Sequence, residues 1–245
     1  KTGWSYGDSK LGGFENPTNY VPNGPGTVFI EGGRFTMGQT EEDLTMDRNN
    51  IARTVSVSSF YMDQTEVANI HYREYIHWMT RAYVNDYPLL VAQALPDTAS
   101  WREAMSYNEP LVNYYFRHNS YSYYPVVGVT WGQCQAFCAW RTQILNEFKY
   151  SVGEAFVQRF RLPSEAAWEY ASRGGLELSP YPWGGPYIRN NLGCPLANFK
   201  PMRGDYVEDN GCHTVPVQSY SANDYGLWCM AVNVSEWTNT AYDES

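Results

Sequence analysis

Rings, rather than aliphatic runs, set the terms on which this chain can fold. It holds 21 Tyr, 9 Trp and 10 Phe, 16% of its 245 residues, interleaved with 20 Gly and 14 Pro. Gly and Pro cut a chain into short segments, while large rings bury much area from irregular positions. The expectation is an α+β domain of short strands and two or three helices, joined by long packed loops. The length suffices for a proper core in one unit.

Charge narrows the partners. The net charge is −9 and no Lys/Arg cluster occurs, which argues against nucleic acid and anionic membrane surfaces and suits divalent cations. No apolar run approaches the roughly 18 residues of a membrane span. The opening Lys1-Thr2-Gly3-Trp4 sits inside a motif-like stretch and reads as a processing boundary rather than a translation start. Five cysteines, Cys134, Cys138, Cys194, Cys212 and Cys229, form no CxxC pair, and no HExxH is present. Neither a disulfide scaffold nor a zinc site is expected.

Residues 1–26 read as an extended arm whose rings Trp4, Tyr6, Phe14 and Tyr20 give it something to dock with. The domain proper is expected over 27–245. Val28-Phe29-Ile30, Gly32-Gly33 and Arg34 to Gly38 predict a β-hairpin, and alternation around Val55 to Phe60 predicts a further strand. Asn69 is placed to cap a helix reaching about Tyr83, with Tyr72, Tyr75, Ile76 and Met79 on one face. Residues 84–124 show no periodicity and read as an irregular insertion. Pro125 to Val129 reads as a short buried strand. Thr130 and Gln133 form a capping box for a helix that turns Cys134, Phe137, Cys138, Arg141 and Leu145 to one side. Ser164 caps a last helix that Gly174-Gly175 stops. Glu165 and Glu169, one turn apart on that helix, read as structural, since no base or nucleophile accompanies them. Arg203-Gly204-Asp205 and the Asn233-Val234-Ser235 sequon read as coincidences of loop composition.

The best site candidates lie in the last fifty residues. Asn198 and Asp209 can offer side-chain oxygens, and Phe199 and Gly211 carbonyl oxygens. Calcium takes about six to eight such ligands, and loop carbonyls are free to turn toward it. Glu236 stands among rings, where an unpaired carboxylate is costly. A metal or a salt bridge would each resolve that cost.

The motifs that carry a family resemblance run in order along 27–238. They are Val28 to Gly38, Thr65-Glu66-Val67-Ala68-Asn69, Pro125 to Trp131 with Phe137-Cys138-Ala139-Trp140, and Arg161-Leu162-Pro163-Ser164-Glu165-Ala166-Ala167-Trp168-Glu169-Tyr170-Ala171. After these come Tyr181-Pro182-Trp183-Gly184, Ala197-Asn198-Phe199 and Tyr225-Gly226-Leu227 through Thr238. In these the chain closely resembles the formylglycine-generating-enzyme (sulfatase-modifying factor) family, whose fold is a variant of the C-type-lectin fold.

The resemblance implies two calcium sites. The first uses Asn198, Phe199, Asp209 and Gly211. The second uses the carbonyls of Val232 and Val234 and the carboxylate of Glu236. The second departs from the family pattern, which wants Asn where Cys229 stands and Gly where Val232 stands, and a thiol is a poor calcium ligand. The resemblance also places the family's catalytic stretch, a G-G-S-W run and a cysteine pair that binds copper and oxygen, after Ser245. No copper is therefore expected in these residues. Cys138 matches a family cysteine whose disulfide partner would lie there too.

A narrower resemblance is carried by the opening T-G-W-x-Y-x-D, Asn49-Asn50-Ile51, Tyr114 to His118 and Ala197 to Gly204. It points to the GldJ and GldK gliding-motility lipoproteins of Bacteroidota, GldJ more than GldK. It implies a non-catalytic structural or binding component of the gliding and type IX secretion machinery. Such a protein sits on the periplasmic side of the outer membrane through a lipid anchor upstream of Lys1, with other proteins of that complex as partners. A copper-dependent oxidase of the wider family and a lectin-like ligand-binding module are the alternatives.

Overall fold

The computed structural model of the protein describes residues 24–38, 50–103, 106–199, 205, 207–208 and 211–242. Four short strands, β1 (Thr27–Ile30), β2 (Gly33–Met37), β3 (Arg53–Val57) and β4 (Phe60–Asp63), come first. The hairpin expected within 28–38 is not formed. Instead β1 pairs with β4 and β2 with β3, antiparallel and in one continuous register from Thr27↔Asp63 to Met37↔Arg53. The Gly32-Gly33 run that looked like a turn is a close crossing. A Cβ at Gly32 would collide with Ser59 N and Val57 O, so only glycine lets the two halves of this ribbon pass the break.

Five α-helices follow, more than the two or three expected: α1 (Asn69–Tyr83), α2 (Pro88–Ala94), α3 (Glu109–Tyr114), α4 (Trp131–Ser151) and α5 (Glu165–Ser172). The N-cap of α1 is Ala68, not Asn69. Asn69 is fully buried and turns its side chain elsewhere. Its Nδ2 donates to Tyr115 O at 3.2 Å and Tyr121 O at 2.9 Å. Those two carbonyls satisfy the buried Nδ2, while the Oδ1 has no partner among the described residues. Residues 84–124, expected to be irregular, mix helix with irregular chain, holding α2, α3 and two single 3₁₀ turns at Thr98–Trp101 and Asn119–Tyr121. The strand expected at Pro125–Val129 reduces to one bridge, Ala68↔Pro125. Gly128 ends it at φ +74°, pressed against Asp97 O.

The caps on α4 and α5 form as expected. Thr130 and Gln133 exchange both bonds of a capping box, and Gln133 Nε2 also reaches Gln93 O and Leu95 O of the insertion. Ser164 Oγ accepts from Ala167 N at 3.2 Å. Glu169 is structural: it pairs with Arg173 at 2.6 Å and accepts the Gly38 amide at 2.8 Å.

Two cores hold the elements. In the first, Tyr72, Tyr75 and Met79 of α1 meet Ala94, Phe116 and Phe137, with Tyr72 stacked on Phe137 at 5.6 Å. The second joins Ile30 of β1, Ala171 of α5 and Leu227. It anchors the C-terminal loops against the ribbon, where the site candidates sit.

Candidate metal centre and the adjoining cleft

Asn198 is almost completely buried, and Gly211 lies beside its carboxamide. A Cβ on Gly211 would stand 3.1 Å from Asn198 Oδ1. The Asn198 Nδ2 donates to His213 O at 3.0 Å and weakly to Asn233 Oδ1 at 3.4 Å. Among the described residues its Oδ1 is a buried acceptor with no donor. Such an orphan is costly unless something electropositive meets it, and a hard cation would. Phe199 is half-buried and shares the wall of a cavity of about 630 Å³ with Val232. Asp209, the one carboxylate expected in this site, lies outside the described residues.

The second candidate site is richer than its sequence suggests. Glu236 Oε2 accepts from Trp168 Nε1 at 2.9 Å. The residue opens onto a cleft of about 940 Å³, so solvent reaches it although protein crowds its carboxyl. That crowding raises its pKa, and the indole bond offsets part of the rise. Facing it from the loop that follows β4 is Glu66, buried, which its sequence context shows only as part of a family motif. Its Oε2 accepts from Asn233 Nδ2 at 2.8 Å, while its Oε1 is buried without a partner. Burial, then repulsion from Glu236, push the Glu66 pKa up to about 8, against the bonds from Asn233 and the Val234 amide. Two mutually repelling carboxyls, one with an orphan oxygen, fit a divalent cation by charge and by ligand hardness.

Asn233 ties the two sites together. Its Oδ1 accepts from Val215 N at 3.0 Å, and its Nδ2 also donates to Val215 O at 3.1 Å. The signal for Glu66 was available: a lone acid between Thr65 and Val67, two residues before the buried Ala68. Among the described residues no three His, Cys, Asp or Glu side chains converge. The oxygens available here, the carboxyls of Glu66 and Glu236 and the carboxamide of Asn198, are hard donors of the kind calcium takes.

Cys229 does not join this set. Its thiol points at Val217 O and Ser219 O, each 3.7 Å away. Its φ is +57°, a conformation that Asn tolerates far better than other branched or bulky residues. Cys229→Asn should relieve part of a strain of roughly 1–2 kcal/mol and supply a side-chain oxygen. The expected result is a higher melting temperature and a larger further rise on adding calcium, read by calorimetry. An unchanged calcium response would show that this position does not face the ion.

Cys134 and Cys138 face the cleft from α4 rather than a closed core, and burial pushes each thiol up to about 11. Burial pushes Cys229 to about 12. Reactive and metal-binding cysteines need the opposite shift, because the thiolate is the active form.

A model of the sulfatase-modifying factor enzyme 1-like domain family matches residues 14–245. The Bos taurus protein described as inactive C-alpha-formylglycine-generating enzyme 2 is 32% identical over 233 residues, 88% of this chain and 70% of that protein. The Bos taurus formylglycine-generating enzyme is 29% identical over 248 residues, 91% of this chain and 58% of that enzyme. Among solved structures, PvdO from Pseudomonas aeruginosa superposes with a TM-score of 0.59 at 20% identity, over 91% of this chain and 75% of its own.

Proposed function

The chain belongs to the sulfatase-modifying factor enzyme 1-like domain family, and from that premise we propose that it is a calcium-stabilised, non-catalytic binding domain. The observation that carries the calcium half of this reading is a pair of buried oxygens, Asn198 Oδ1 and Glu66 Oε1, with no partner among the described residues. The Bos taurus and Mus musculus relatives described as inactive, 32% and 30% identical, support the non-catalytic half by analogy.

We place the domain in the gliding-motility and type IX secretion machinery of Bacteroidota, as a GldJ-like lipoprotein on the periplasmic side of the outer membrane. The support is the narrower motif resemblance in Tyr114 to His118 and Ala197 to Gly204. Its partners are then other proteins of that complex. Calcium would be held by Asn198, Phe199, Asp209 and Gly211 at one site. At the other, Glu236 with the carbonyls of Val232 and Val234 would be joined by Glu66. Bound there, the ion supplies fixed positive charge that locks the C-terminal loops to β4 and α5.

One other reading has an observation behind it. Relatives from cattle and mouse, each 29% identical, are described as formylglycine-generating enzymes. The full-length protein should be incubated with cuprous copper, oxygen and a cysteine-containing peptide, and the peptide followed by mass spectrometry. The peptide is expected to keep its thiol. Conversion of that cysteine to an aldehyde would sink the non-catalytic reading.

A further inference from the structure

Helix α4 carries an apolar stripe at helical spacing: Phe137, Trp140, Ile144, Leu145 and Phe148. Its first turns are spent on the ring core, where Phe137 stacks on Tyr72 and Trp140 meets Tyr75 at 5.2 Å. Its later turns are not. Ile144, Leu145 and Phe148 line a separate cleft of about 540 Å³ between α4 and α1. Ile144 and Leu145 are only half-buried, and Phe148 is 61% exposed. Trp140 lines the same cleft, and its Nε1 is buried with no acceptor among the described residues. A buried donor left unmet is costly.

The described chain begins at the mouth of this cleft. Pro25 and Gly26 line it. Arg141 Nη2 donates to Pro25 O at 3.0 Å, and Gln64 N donates to Gly26 O at 2.9 Å. Gly24 is pressed under the Phe160 ring, and a Cβ on it would stand 3.5 Å from Leu145 Cδ2. The chain that precedes Gly24 therefore departs from beside Leu145. Residues 1–23 lie outside the described residues, but their order is known: Tyr20-Val21-Pro22-Asn23 leads directly into Gly24. Pro22 favours extended backbone at Val21. At ~3.3 Å per residue, Val21 reaches about 10 Å from Gly24 and Tyr20 about 13 Å, enough to span the turn of ~5.4 Å from Ile144 to Phe148.

We propose that Tyr20 and Val21 fold back into this cleft, so that the chain ahead of β1 closes the open end of the α4 stripe. The charge of the site fits this occupant. Asp63 is held by Arg141, Glu66 belongs to the candidate metal centre, and His71 and Glu74 stand exposed on the rim. No unpaired cation in the cleft calls for an acidic ligand, and residues 16–23 carry no charge. Tyrosine suits a half-open apolar cleft, because its ring fills the floor while its hydroxyl stays at the wet rim. A backbone carbonyl of the same segment supplies the acceptor that Trp140 Nε1 lacks. The family match starts at residue 14 and so includes this segment. The docking holds whether or not the domain is catalytic or binds calcium.

The test is limited digestion of the whole chain with chymotrypsin, followed by mass spectrometry. An undocked terminal segment is a preferred site of cleavage. The Tyr20–Val21 bond is expected to be cut at least tenfold more slowly in the folded chain than in a free peptide of residues 14–26. Ile144→Ala with Phe148→Ala should remove most of that protection. Phe148→Asp, at a position exposed enough to leave the fold intact, should do the same. Cleavage as fast as in the free peptide overturns the proposal whatever the variants do. Full protection in folded Phe148→Asp also overturns it, since the segment would then lie elsewhere. So does protection that grows with protein concentration, which would put the segment in the cleft of a second copy.

Discussion

In the presence of chelator, the folded chain should lose stability as pH rises from about 4.5 to about 8, and calcium should offset part of that loss. The cause is Glu66, whose carboxyl moves from an ordinary 4.5 to about 8 through burial and the charge of Glu236. The folded state binds this proton more tightly than the unfolded state does. Its contribution is therefore complete below the unfolded value and lost as pH climbs through the folded one. Each tenfold change in proton affinity is worth about 1.4 kcal/mol, so the loss is on the order of 4–5 kcal/mol. Calcium requires the carboxylate form, so its affinity grows over the same interval. At a hundredfold excess over its dissociation constant it restores about 2.7 kcal/mol. Glu66→Gln should flatten the pH profile in chelator and weaken the response to calcium. Asp209→Ala should weaken the response while leaving the pH profile intact. Thermal melts across pH, with and without calcium, read all of these. A profile that Glu66→Gln leaves unchanged would place the source of the trend elsewhere.

What the sequence made legible divides by distance along the chain. The Thr130–Gln133 box and the Ser164 cap were readable because both partners lie within one turn. The family motifs were readable because they are contiguous, and they led to the fold. The short helices within residues 84–124 were not legible, for a local reason too. α2 exposes Leu89 and Leu90 and buries only Val91 and Ala94, so its apolar residues trace no clean face. The ribbon was mispaired because Gly-Gly serves a turn and a close backbone crossing equally well, and sequence cannot tell which. Glu66 was missed because its meaning depends on Asn233, 167 residues away, and on Glu236 beyond it. An acid becomes a site only where the fold has removed its water and supplied its neighbours.

Asn233→Ala should be among the most damaging single changes outside the two apolar cores, costing about 3 kcal/mol. The side chain makes three bonds of 2.8 to 3.1 Å, two to the Val215 backbone and one to Glu66, each worth about 1 kcal/mol. Removing it also strips Glu66 of the side-chain bond that holds its pKa down, so the carboxyl would rise further and the pH dependence in chelator would steepen. That second effect separates a network from a set of independent contacts. If the two residues act together, a cycle of Asn233→Ala, Glu66→Gln and the double variant should show a coupling of about 1 kcal/mol or more in urea unfolding. The sign follows from the chemistry. Once Glu66 is an uncharged amide, losing the Asn233 donor strands a weaker acceptor, so the second change costs less than the first. Additive effects would mean that Asn233 supports the Val215 loop alone, and that the two candidate calcium sites are mechanically separate. Coupling would mean that an ion at either site stiffens the other, since Asn198 of the first and Glu66 of the second hold opposite ends of one amide.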